Sequence, residues 1–533
     1  MAAVQQYKRP MGLLGALVLV MLVLAGSTSA LAVDTTQGPF AGHQVVRVYG
    51  DARASPLRDF MLSNHIDMWS DLAPSRTQVD LRVSPNQAAQ LQALGMRSEV
   101  LIPDLAAIYA ASTEPAPLSS AAAPSHRQLQ DTGALGSLRI SAAIDSSYLS
   151  YDKVKAYLSN LAAAAAPGTV TLESVGKTYE GRDIPAVRIS RPKSLATIAK
   201  MAVITLGGVH AREWVGPAAV LAGIHDLATA ASTDPTTASS PLSTLLDAFD
   251  FVFVPVANPD GYVFTFGDPA NRLWRKNRQP TKAKNLACIG IDINRNFPTN
   301  WAPAAARNAS NPDSECAETY PGDSAAQALE VQSLTAYMTK LATTIGIAAV
   351  YDLHAYSQLF MYPYGSTCAT RAPNAAAMQA AAASGVASMP SGGSGWQVGQ
   401  ICQTIYEAAG SSVDWAYGGA SGVHTPFAFA VEMSPAQADV KVGFLVPPAG
   451  LATVVKETMA GWTTSLQSIR TAFSTGTVVQ LDGTKWSAET MAKAAPAGTS
   501  NASGLVGSSA ASTQRALWSG GLCIAVAILG AVF

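Results

Sequence analysis

The run Met201-Ala202-Val203-Ile204-Thr205-Leu206-Gly207-Gly208-Val209-His210-Ala211-Arg212-Glu213-Trp214-Val215-Gly216-Pro217 changes character twice. Its first residues are apolar or β-branched and read as a buried parallel strand. Gly207-Gly208 breaks the strand, and the apolar stretch after Pro217 reads as a helix. Strand, glycine turn and helix in succession are the building unit of α/β sheets, whose functional groups gather at the C-terminal ends of strands. His210 and Glu213 fall at such an end.

Outward from this stretch, apolar strand-like runs at 170–175, 187–190, 251–256, 345–350 and 427–432 alternate with helical ones. The alternation predicts an α/β fold over 140–475: a mixed, mainly parallel sheet of the eight-stranded type, flanked by helices. The run at 345–350 leads to Asp352-Leu353-His354-Ala355-Tyr356, so a second histidine stands where the first does, just beyond a buried strand. One histidine alone reads as a satisfied core residue. Two imidazoles and a carboxylate, however, suit Zn²⁺ with three protein ligands, which leaves a position for water as catalytic rather than structural sites do.

Before this region lies 33–127, with alternating strands at 44–49 and 78–83 and amphipathic pieces at 57–70 and 85–94, the pattern of a small α+β domain. The stretch 112–125 is dense in Ala, Ser and Pro and reads as a linker. Arg127 and Arg139 come after it, where a trypsin-like protease could cut. A folded domain, a linker and a cuttable basic residue predict an activation domain that inhibits the larger domain at 140–475; a permanently attached accessory domain is the other reading.

The chain has 533 residues, 48% of them hydrophobic, enough for two or three domains and a large core. A formal net charge of −1 with 13% charged residues points away from nucleic-acid partners and polyanionic substrates. Lys8 and Arg9 precede an apolar segment, and Ala30-Leu31-Ala32 offers a cleavage site, so 1–32 reads as a signal peptide rather than a membrane anchor. An extracellular destination makes disulfides available to Cys288, Cys316, Cys368 and Cys402, which alone admit three pairings; Cys523 lies in the tail. The segment 476–533 is a low-complexity tail ending in an apolar run, which fits a glycosylphosphatidylinositol signal, with a tail-anchored span as the alternative. Asn308 and Asn501 sit in glycosylation sequons.

Further motifs lie between and beyond the first ligands: Asn258-Pro259-Asp260-Gly261-Tyr262, Arg272-Leu273-Trp274-Arg275-Lys276-Asn277-Arg278, Asp292-Ile293-Asn294-Arg295-Asn296-Phe297 and Ile405-Tyr406-Glu407-Ala408-Ala409-Gly410. Together they resemble the zinc carboxypeptidases of the pancreatic A/B type, over everything except the C-terminal tail. The resemblance implies that His210, Glu213 and His354 bind one zinc ion and that Glu432 is the general base. It implies that Arg275 stabilises the oxyanion and that Asp292 orients a zinc-bound histidine. Arg272 and Arg278, in a run so rich in cations, read as a solvated face.

By the same resemblance, Asn294 and Arg295 clamp a substrate's C-terminal carboxylate, Tyr406 closes over it, and Tyr356 also touches substrate. An arginine fork suits a planar carboxylate, so peptide and protein C-termini are the expected substrates. The position that sets side-chain specificity is Val413, with Met361, Ile401, Ile405 and Ala430 around it. That lining leaves a cationic side chain unpartnered and favours aromatic and large aliphatic C-terminal residues, extending to Trp. The implied bridges are Cys288–Cys316 and Cys368–Cys402. Ala355 and Met433-Ser434 depart from the family pattern without removing a catalytic group. Two other readings use the same fold: a catalytically silent surface binding protein, and a zinc amidase acting on an unusual peptide.

Overall fold

The computed structural model describes residues 38–51, 55–70, 77–113, 147–191, 200–233, 240–282, 288–301, 315–418, 422–436 and 441–479. The predicted leader at 1–32, the predicted linker 112–125 beyond Thr113, Arg127, Arg139, Asn308, Asn501, Cys523 and the predicted tail 476–533 beyond 479 lie outside them. No helix among the described residues is long and apolar enough to cross a membrane.

The N-terminal region forms an antiparallel sheet of β1 (Gln44–Tyr49), β2 (Asp67–Met68), β3 (Gln78–Val83) and β4 (Ser98–Ile102), ordered β2-β3-β1-β4. Helices Leu57–Ser63 and Pro85–Ala93 cover it and enclose a core of Val46, Val48, Leu57, Phe60, Val79, Leu81, Val83 and Leu91. The second helix opens on a reciprocal cap between Ser84 and Gln87, with Pro85 in its first turn, where a missing N–H costs nothing. The amphipathic stretch 57–70 resolves into a helix and the short strand β2, because His65 turns the chain at φ +48.

The larger sheet has eight strands, ordered β11-β10-β12-β9-β7-β8-β6-β5. They are β5 (Val170–Lys177), β6 (Asp183–Ile189), β7 (Met201–Gly207), β8 (Phe249–Val254), β9 (Ile347–Ser357), β10 (Leu359–Tyr362), β11 (Gln397–Gln400) and β12 (Phe427–Ala436). The heart, β12-β9-β7-β8, is parallel; β10 runs against β12, β6 against β8 and β5 against β6. This is the mixed, mainly parallel sheet that the sequence predicts.

Every residue of β7 is buried, because successive side chains feed two different cores. Val203 joins a cluster with Phe251, Tyr351 and the helices Val215–Ser232 and Pro448–Ser474, while Ile204 joins one with Val252, Val350 and the helix Leu329–Thr344. The sequence reading has no counterpart for β4, β10 and β11. β10 is four residues long and separated from β9 only by Gln358, and β11 is a polar edge strand. β9 also runs well past the apolar stretch 345–350, carrying Asp352 and His354 as buried polar residues within the strand.

Candidate metal centre and active site

Three adjacent strands bring the predicted ligands and base together. β7 delivers His210 through Gly207-Gly208, where Gly208 adopts φ +63 and a Cβ would stand 3.0 Å from Pro217 and 3.4 Å from the Val256 backbone. β9 carries His354, and β12 pairs Glu432 in register with His354, one strand spacing away.

At the centre, His210 Nδ1 lies 2.8 Å from Glu213 Oε1, and His354 Nδ1 lies 3.0 Å from both His210 Nδ1 and Glu213 Oε2. The three side chains are almost wholly buried, and their ligand atoms all fall within 4.8 Å of one another. Two imidazole nitrogens and a carboxylate oxygen converging on one point fit a small dication with a preference for nitrogen and oxygen, which is the donor set of catalytic zinc.

Around this triad the second ring nitrogens are also engaged. His210 Nε2 is 3.2 Å from Asp292 Oδ1, while Asp292 Oδ2 accepts from Arg275 Nε at 3.2 Å and Nη2 at 2.9 Å. Asp292 Oδ1 also accepts from Asn294 N–H at 2.9 Å, capping the short 3₁₀ turn Ile293–Arg295. Burial would push the Asp292 carboxyl up, but Arg275 and His210 hold it well below the usual range. Burial would likewise favour a neutral Arg275, and Asp292 and Glu213 reverse that, keeping the guanidinium charged. His354 Nε2 is 3.0 Å from Asp352 Oδ2 and 3.2 Å from Asn294 Nδ2.

The predicted clamp residues connect directly to this centre. Asn294 Oδ1 accepts from Ser412 N–H at 2.9 Å, which fixes the amide, and Arg295 Nη1 donates to Asn294 O at 3.0 Å. Arg295 Nη2 hydrogen-bonds the Tyr406 hydroxyl, with the guanidinium 5.6 Å from that ring's centre. Gly410 makes this close packing feasible: at φ +71, a Cβ would lie 2.3 Å from Arg295 O. Bridges Cys288–Cys316 and Cys368–Cys402 are both formed, and the second anchors the segment leading to Tyr406.

Val413, Met361, Ile401, Ile405 and Ala430 are all buried, and Met361 pairs with Ala430 across β10 and β12. The acidic neighbour, Asp414, accepts from the backbone N–H groups of Gly365 and Ser366, each at 2.8 Å. It is therefore occupied away from any incoming cation.

Two expectations change. Arg272 is not a solvated residue: it is fully buried, donates to the carbonyls of Arg212 and Phe444, and lies 3.7 Å over the Trp214 ring. Arg278 stacks on Phe264 and Trp274 at 3.7 and 4.7 Å. Flat guanidinium faces pack on aromatic rings while their edges satisfy carbonyls, so a cationic run need not face water.

The N-terminal domain reaches the same neighbourhood. Asp67 Oδ1 accepts from Arg212 Nη1 at 2.7 Å, and its other oxygen accepts from Arg82 Nε at 2.8 Å and Trp69 Nε1 at 3.2 Å. Tyr356 donates its hydroxyl to Trp69 O at 3.0 Å, and Trp69 packs edge-on against Phe444. Arg212 lies between His210 and Glu213 in the chain, and Tyr356 is two residues beyond His354. Sequence reasoning passes over Asp67 and Asp352. Nothing local signals Asp67, whereas Asp352 precedes His354 by two positions on a strand and so shares its face.

Comparisons with known proteins agree with this geometry. A family model described as zinc carboxypeptidase matches residues 154–461, which contain every site residue from His210 to Glu432. A metallocarboxypeptidase A-like protein of Trichophyton verrucosum is 32% identical over 453 residues, covering 83% of this chain and 97% of its own. Zinc carboxypeptidase A 1 of Anopheles gambiae is 33% identical over 321 residues, covering 60% of this chain and 67% of its own. The crystal structure of carboxypeptidase A from Helicoverpa armigera is 26% identical with a TM-score of 0.61, covering 82% of this chain and 100% of its own. Thrombin activatable fibrinolysis inhibitor shares the fold at 23% identity and a TM-score of 0.63, over 81% of this chain and 99% of its own. With a buried His-Glu-His centre on the matching sheet, the chain belongs to the zinc carboxypeptidases.

Proposed function

We propose that this metallocarboxypeptidase removes aromatic and large aliphatic residues from peptide C-termini, with Glu432 as general base, and that it is made as a zymogen. One observation carries the exopeptidase reading: Asn294 touches His354 and is followed in the chain by Arg295, so a carboxylate-binding cation is held beside the metal centre. A substrate whose terminal carboxylate rests on Arg295 presents its last peptide bond to the centre, because that bond lies only a few atoms away.

Zinc, when bound by His210, Glu213 and His354, supplies Lewis-acid polarisation of water and carbonyl. The protein's own groups do the rest. Glu432 takes a proton from the attacking water and passes it to the leaving amine. Arg275, held in place by Asp292, donates to the oxyanion that forms at the scissile carbonyl. Arg295 and Tyr406 hold the terminal carboxylate, while Val413 and its neighbours exclude water from the apolar side chain.

The zymogen reading is supported by the buried Asp67–Arg212 pair and by a hydrophobic cluster that the N-terminal domain holds for itself, while Phe40, Val45, Trp69 and Ile102 pack it onto the larger core. Arg127 or Arg139 is the cut site in this scheme. A secretory leader, two disulfides and a lipid-anchor signal together support an extracellular, surface-tethered enzyme. The test is to incubate trypsin-processed protein with peptides ending in Phe and in Lys, with and without a zinc chelator. Chelator-sensitive release of Phe well ahead of Lys is expected; faster release of Lys would overturn the specificity. Release from cells by phosphatidylinositol-specific phospholipase checks the anchor.

A further inference from the structure

The two imidazoles at the centre are backed by different carboxylates, and among the described residues only one of these has an arginine or lysine partner. Asp292, behind His210, shares its charge with Arg275 through two hydrogen bonds. Asp352, behind His354, is fully buried on β9, and its Oδ2 lies 3.0 Å from His354 Nε2. That same oxygen accepts from the Ser412 hydroxyl. No hydrogen-bond donor reaches Oδ1 among the described residues, and no arginine or lysine pairs with the group there.

A buried carboxylate so short of partners is costly, and proteins keep one where positive charge arrives to offset it. Here the offset is one imidazole away, since His354 turns Nδ1 to the centre and Nε2 to Asp352. A carboxylate on the far nitrogen of a ligating histidine fixes its tautomer and ring plane and makes the near nitrogen a better donor.

We propose that Asp352, steadied by Ser412, is a positioning residue that orients His354 and contributes directly to zinc affinity. This rests on the zinc-carboxypeptidase reading. Asp292 locks His210 and Arg275 together, whereas Asp352 joins His354 to the Ser412 hydroxyl. Its loss therefore acts first on the metal ligand.

The test compares the full chain with D352N, D352S and S412A, each checked for folding by far-ultraviolet circular dichroism. Zinc dissociation constants come from competition with a chromophoric chelator, and ligand geometry from the visible spectrum of the cobalt-substituted proteins. D352N keeps an acceptor and loses the charge, so zinc binding about 10-fold weaker is expected; D352S loses both, and binding moves towards about 100-fold weaker. S412A, which leaves the carboxylate in place, is expected to weaken zinc about 3-fold. The cobalt spectrum shifts in both Asp352 variants. If D352N and D352S fold, bind zinc within about 2-fold of the parent and leave the cobalt spectrum unchanged, the proposal is wrong. Failure of the parent itself to bind zinc would instead overturn the enzyme reading, so the two failures are distinguishable.

Discussion

The metal centre and the junction with the N-terminal domain are built from the same bond and put it to opposite uses. Arg275 meets Asp292 at 2.9 Å, and Arg212 meets Asp67 at 2.7 Å; all four side chains are buried or nearly so. The first pair joins residues 17 apart in the chain within one fold, and so stiffens a site. The second joins residues 145 apart, one on the N-terminal sheet and one beside the metal centre, and so ties two regions together; in the zymogen reading it would fasten a cover. In both, burial would neutralise the acid and the facing guanidinium prevents it. An ion pair in a protein interior thus acts according to what it connects. Glu330 extends the comparison: it is buried, rests on the Asn277 amide at 2.8 Å, and its carboxyl is pushed up to about 7 by burial.

The largest effect is expected at Glu432, the proposed general base. Glu432→Gln should lower kcat by about 10²- to 10⁴-fold with zinc content unchanged by metal analysis. Next, Arg275→Ala breaks the rigid pair and removes the proposed oxyanion donor together, and turnover should fall by about 10²- to 10³-fold. At the junction, Asp67→Asn leaves Arg212 buried against a neutral amide. Docking of the N-terminal domain should weaken by about 3 kcal/mol, seen as a rise in the activity of the uncut chain towards 100-fold. If uncut D67N is no more active than the uncut parent, the junction pair does not hold the N-terminal region against the centre.

The smallest effect concerns the acid without a cation. For Glu330 the folded-state value near 7 exceeds the ordinary 4.5, so its destabilising contribution is absent below 4.5, grows as pH rises, and is complete above 7. Glu330→Gln should therefore be more stable than the parent by about 1–3 kcal/mol at pH 8 and match it near pH 4, a difference readable in thermal midpoints across that range.

Legibility in the sequence tracks how local each interaction is. The strand ending at Gly207-Gly208 and the ligand pair His210 and Glu213 lie within one turn of chain, and the structure joins them at 2.8 Å. β9 is visible only as far as its apolar residues run, because Asp352 and His354 are polar and their burial depends on partners in distant segments. Arg272 misleads for the converse reason: it is buried by Trp214 and the carbonyls of Arg212 and Phe444, none of which is near it in the chain.

Hydrophobic period and glycine placement, which act over a few residues, are enough to determine an α/β sheet, its crossover helix and the donor types waiting at the strand ends. Only the tertiary structure decided that Glu432 pairs with His354, that Asp352 stands behind that histidine with no arginine or lysine partner among the described residues, and that Asp67 reaches Arg212. Those pairings depend on strand order and domain docking, which are set by the summed burial of distant side chains and leave no mark on the residues next to them in the chain.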